Sequence, residues 1–188
     1  MYQGGVETIK GMRTQGSAGT ARSPVARAFQ VLLLSLLLFA AAFGTHEVMH
    51  LLVLYAVGGH GSIIVRPWQM SLVQETIYSL HVQPDQPIGF GRQLAVNVLG
   101  PVLAGVPLAV LLIYIRESVV RAALVANVAI LAFYALIEGG DLLLEQLAEF
   151  DAGFLTSPEF NYGVPLLVIL VAIASSLNQA TEVQVATG

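Results

Sequence analysis

Two histidines four residues apart, His46 and His50, bracket a glutamate, Glu47, in the middle of a long apolar run. On an α-helix, residues i and i+4 share a face, so both imidazoles can turn towards one metal ion. Glu47 sits about 100° round the helix from His46 and can reach a water in an open coordination position, where it would act as general base. Burying a charge in hydrocarbon costs roughly 2.5 kcal/mol or more on insertion scales. A His/Glu/His cluster in a membrane-spanning helix therefore points to a functional site.

A catalytic metal needs a third protein ligand and an open position for water. His60 and His81 fall in a segment that reads as loop and hairpin, where an interfacial or solvated histidine is the simpler expectation. Glu138-Gly139-Gly140-Asp141 instead places two carboxylates at the end of a second apolar stretch. Their i, i+3 spacing would put both on one face of a continuing helix, but the glycine pair is expected to break it. The candidate ligands are thus His46 and His50 with Glu138 or Asp141, and Glu47 is the candidate catalytic residue. The chain has no cysteine, which excludes thiolate ligands, disulfides and iron–sulfur clusters.

The elements that must position these residues are membrane spans. The 188 residues are 56 % hydrophobic and only 11 % charged, with a mean hydropathy of +0.76. A soluble domain carries about 25 % charged residues. Four apolar stretches are long enough to cross a bilayer, at about 20 residues each. They run from about Ala28 to Val57, Arg92 to Ile115, Val119 to Ile137 and Gly163 to Leu177. The first exceeds what a bilayer needs, so it must tilt, protrude or bend, with Gly44 a plausible bend and Gly58-Gly59 its end.

Between the first two spans, Ser62–Val65 and Ser71–Tyr78 are rich in β-branched residues on either side of Pro67. They read as a short hairpin at the membrane interface, anchored by Trp68 and Tyr78 and followed by a loop, Gln83–Pro87. The fold class expected is an all-α membrane protein, with about four transmembrane helices and a short interfacial β-hairpin after the first. Residues 1–26 read as a disordered polar tail, 27–178 as one integral membrane domain and 179–188 as a second polar tail. The first apolar run continues through HEVMH, so it is expected to be retained, not cleaved as a signal peptide. A net charge of −4 and scattered arginines give no nucleic-acid surface. Lys10, Arg13, Arg22, Arg27, Arg116 and Arg121, against acids alone in 141–162, would put both termini in the cytoplasm by the positive-inside rule.

Three features in order resemble the site-2 protease family of intramembrane zinc metallopeptidases, over most of residues 35–145. The first is HEVMH followed by an apolar helix and Gly58-Gly59. The second is Gly91-Arg92 leading through Leu99-Gly100-Pro101-Val102-Leu103-Ala104, like the family's Gly-Pro-x-x-Asn span. The third is Leu136-Ile137-Glu138-Gly139-Gly140, like the family's Leu-Asp-Gly-Gly. The hairpin is similar to the family's membrane-associated β region.

The resemblance implies one zinc ion held by His46, His50 and, by alignment, Glu138, with Asp141 as the alternative. Glu47 would be the general base of a peptide hydrolysis within or beside the spanning segment of a membrane-anchored protein substrate. The implied setting is the lipid bilayer of the cell membrane, with the HEVMH end and hairpin facing the cytoplasm, opposite to the charge count. Ala104 stands where the family has asparagine, Asn97 is in a different register, and the prolines before the third motif are absent. These departures bear on substrate positioning more than on the metal. They motivate a rival expectation, a non-catalytic metal- or client-binding membrane protein derived from the same fold.

Overall fold

The computed structural model describes residues 23–70, 74–148, 154–155 and 157–187. Most of the expected N-terminal tail, Ser71–Val73 of the hairpin and the end of the acidic segment up to Asp151 lie outside the described residues. Four helices, α1 (Pro24–Ala56), α2 (Phe90–Tyr114), α3 (Ser118–Ala148) and α4 (Pro158–Thr187), are each long and apolar enough to cross a membrane. Between α1 and α2 lies an antiparallel hairpin, β1 (Gly61–Met70) and β2 (Glu75–Pro84). The chain is thus an all-α membrane protein with one small hairpin, as its sequence leads one to expect.

Helix α1 begins at Pro24, four residues before the expected start, because Ser23 caps it. The Ser23 Oγ accepts from the Ala26 N–H at 3.2 Å, and Pro24 gives up no useful donor in the first turn. At 33 residues the helix is about 50 Å long and runs unbroken through Gly44, where a bend had been expected. It stops where expected: Gly58 takes a φ of +81°, and the Gly59 N–H closes back on the Leu54 carbonyl at 2.9 Å.

The bundle core gathers Ala42, Ala104, Ile130, Leu131, Tyr134 and Ile169 from all four helices. Small residues let the helices approach closely, as is usual in membranes. A Cβ at Gly139 would come within 2.6 Å of the Val98 side chain on α2. That explains a correction: Gly139-Gly140 does not break α3, which continues to Ala148. The missing side chain there serves contact with α2, and the helix tolerates it. Polar ties cross the bundle as well. Asn127 Nδ2 donates to the Ser35 carbonyl at 3.2 Å. At the end where the chain enters, Arg27 Nε donates to the Ser176 carbonyl (3.0 Å) and Oγ (2.9 Å), and its Nη2 to Ser118 Oγ (2.8 Å), tying α1 to α3 and α4.

The hairpin is longer than expected, and Pro67 lies within β1 instead of between strands. The register explains why proline is tolerated. His60 and Asp85 exchange a ladder bond at 2.9 Å, so the pairs Gly61/Pro84, Ile63/Val82, Val65/Leu80 and Pro67/Tyr78 alternate with bonded pairs and turn their backbone groups outward. Both prolines thus sit where no ladder N–H is needed. Helix α4 likewise exceeds its expected span. It starts at Pro158 and continues through the expected C-terminal tail to Thr187, where no glycine or proline stops it before the last residue.

Candidate metal centre

The C-terminal third of α1 carries His46, Glu47 and His50, all buried. Helix α3 runs parallel to α1 and presents Glu138 at the same depth. His46 Nε2 lies 3.3 Å from Glu138 Oε1, His50 Nε2 lies 3.1 Å from Glu138 Oε2, and the two Nε2 atoms are 2.6 Å apart. One ligand atom from each residue falls within 4.8 Å of the others, and this group could hold a metal ion. The donor set, two imidazoles and a carboxylate, is one that catalytic metal sites use.

Supporting contacts fix the orientation of these ligands. His50 Nδ1 lies 2.8 Å from the Val96 carbonyl on α2. A carbonyl only accepts, so Nδ1 carries the hydrogen and the neutral ring turns a bare Nε2 lone pair towards His46 and Glu138. Gly100 makes room for that ring, since a Cβ there would fall 2.7 Å from the His50 Cε1. The His46 ring stacks on Tyr134, with centroids 5.5 Å apart and planes 12° from parallel. Tyr134 in turn donates from its hydroxyl to the Asn161 carbonyl at 2.7 Å, linking the site to the first turn of α4. Three groups that are acceptors in their ligating forms therefore converge on one point, an arrangement that a cation relieves.

Glu47 is not among the converging ligands. It faces the hairpin, where its Oε2 accepts from the outward-turned Val82 N–H at 3.1 Å. Its side chain lines a cavity of about 490 Å³ shared with His46, His50 and Glu138. The hairpin supplies Arg66, Trp68, Ser79 and His81 to the opposite wall, and Phe43 and Tyr162 close in beside Trp68. Trp68 and Tyr162 meet edge to face at 6.0 Å.

Of the residues named from sequence, His46, His50 and Glu138 come together, with Glu47 beside them. Asp141 lies one turn further along the unbroken α3 and is outside the converging group. His60 belongs to a separate pocket with Asp85 and Arg92. His81 enters the main cavity without joining the ligand group.

Gln93 was missed. Its Nε2 donates to Asn97 Oδ1 at 2.7 Å, and Asn97 Nδ2 donates to the Glu138 backbone carbonyl at 3.1 Å, holding α2 against the ligand-bearing turn. Two amides four residues apart in an apolar helix were the available signal, since polar side chains within spans rarely lack a role. Ala104, by contrast, is packed in the core. Comparison of the chain with protein-family models, with curated proteins and with solved structures gives no match in any of the three.

Proposed function

We propose that the chain is an intramembrane zinc metalloprotease, a compact and divergent relative of the site-2 protease family, acting on the spanning segment of a membrane-anchored protein. The observation that carries this reading is the convergence of His46, His50 and Glu138 beside a carboxylate, Glu47, that shares their cavity without belonging to their set. Zinc suits a site of two imidazoles and one carboxylate, and leaves a coordination position open.

When bound, the ion would lower the pKa of a water and offset negative charge on the scissile carbonyl. His50 and His46 hold their Nε2 lone pairs in place through Val96 and Tyr134. Glu47 takes a proton from the attacking water and returns it to the leaving amine, so the proton balance closes on one carboxylate. The substrate must arrive extended, because a helix hides its carbonyls. The outward edge of β2, where Leu80 and Tyr78 follow the phase of Val82, offers a strand-like partner beside the cavity.

A second reading, a non-catalytic metal- or client-binding protein, is favoured by one observation. Ala104, aligned with the asparagine of the family's second motif, gives the cavity no polar group. One comparison separates the two. Wild type and Glu47→Gln are reconstituted in phosphatidylcholine vesicles with a synthetic single-span Leu/Ala peptide. A central Asn-Pro in that peptide loosens its helix. The protease reading expects equal zinc content and a loss of cleavage in Glu47→Gln of at least about a hundredfold. Stoichiometric zinc retained after replacement of both His46 and His50 would sink the site.

A further inference from the structure

Besides the ligand set and Glu47, a histidine of the hairpin lines the cavity of the metal centre. His81 pairs with Ile64, in phase with Arg66, Trp68 and Ser79, and this face of the ribbon forms the cavity wall opposite the metal ligands. Ser79 is small and buried, which lets the Trp68 indole reach along the strand and meet the His81 ring edge to face, 5.6 Å between centroids. The ring is thereby held in place, yet neither of its nitrogens has a hydrogen-bond partner among the described residues. Its neighbour in the chain, Val82, is the residue whose N–H holds Glu47. Adjacent residues of one strand therefore present the His81 ring to the cavity and the N–H that holds the general base of α1.

Resting on the peptidase reading, we propose that His81 is a further catalytic residue of the same site, donating a ring N–H to the scissile carbonyl oxygen of a peptide substrate as charge builds there. The proton stays on the ring; proton transfer belongs to Glu47. A donor already fixed on the wall of the cavity needs little reorganisation when the charge appears, and preorganised donors of this kind are the effective ones. A neutral imidazole always carries one N–H, whichever tautomer it adopts. Burial, reinforced by the Arg66 guanidinium, holds the His81 ring below the ordinary histidine range, while Glu138 on α3 pulls the other way. Arg66 is itself engaged, its Nη2 donating to Gln83 Oε1 at 3.1 Å.

The test uses the full chain in vesicles, the single-span peptide above, and the same peptide with its scissile amide replaced by a phosphinate. For His81→Ala, zinc affinity of the metal-stripped protein should stay within about twofold, kcat should fall about a hundredfold with KM little changed, and phosphinate affinity should fall by a similar factor. His81→Gln keeps an N–H donor and should lose only about tenfold, which separates donation from mere bulk. A tenfold loss of zinc affinity in His81→Ala would make it a ligand and overturn the proposal. So would a His81→Ala protein that cleaves and binds phosphinate like a competent wild type, leaving the peptidase reading intact. A zinc-loaded wild type that neither cleaves the peptide nor binds its phosphinate overturns both.

Discussion

The two ends of the bundle solve opposite electrostatic problems. At one end Arg27, a cation, is surrounded by acceptors, and its guanidinium meets the Ser118 hydroxyl and both oxygens of Ser176. At the other end His46, His50 and Glu138 face one another, and all three are acceptors in the forms that would hold a metal. The first cluster is complete in itself and ties three helices. The second could be completed by a cation from outside the chain. The difference teaches how to tell a structural polar cluster from a binding site in a membrane: both are costly to bury, but only the binding site leaves its demand unmet.

Supplying the cation gives the largest expected effect. Zinc at about a thousand times its Kd should stabilise the metal-stripped protein by about 4 kcal/mol, read as a rise in the unfolding midpoint in detergent micelles. His50→Ala or Glu138→Gln should abolish that rise, whereas Asp141→Asn should keep it. A full response in Glu138→Gln that Asp141→Asn removes would reassign the third ligand. Gly100→Ala comes next. Its Cβ would press on the His50 ring, and disturbed support of a ligand typically costs about 10- to 100-fold in metal affinity, measurable by competition with a chelator. An unchanged affinity would show that the ring position is not what tunes the site. The smallest effect belongs to the other end. Arg27→Ala should cost about 1.5 kcal/mol of stability, as for hydrogen bonds to a charged group, with zinc affinity untouched. Any loss of metal in Arg27→Ala would break the separation of the two ends.

Much of this contrast is legible in the chain itself, for reasons particular to each residue. HEVMH declares itself because the i, i+4 relation is local to one helix, and the four spans because hydropathy needs no tertiary information. Glu138 is recognisable as a carboxylate at the end of an apolar stretch. Gly139-Gly140 misleads, because glycine signals both a helix end and a close helix approach, and only the position of Val98 shows which applies. The pair Gln93 and Asn97 acquires meaning from a carbonyl on another helix, at Glu138, that no spacing rule reaches. His81 depends on register. A shift of one residue would turn it to the opposite face of the ribbon, and the register follows from pairings along the whole hairpin.

Pro67 carries a consequence beyond its fit in β1. A two-stranded ribbon has two rims, and at Pro67 one of them lacks an outward donor, while the Gly61 carbonyl on the same rim is already taken by the Tyr55 hydroxyl at 2.9 Å. An extended chain laid along β1 would find this gap within the strand, whereas Pro84 leaves the matching gap of β2 only at its last residue. The two rims therefore differ in where their gap falls. Copies of the protein crowded in a bilayer are discouraged from zipping together through the middle of β1 by a single imino acid.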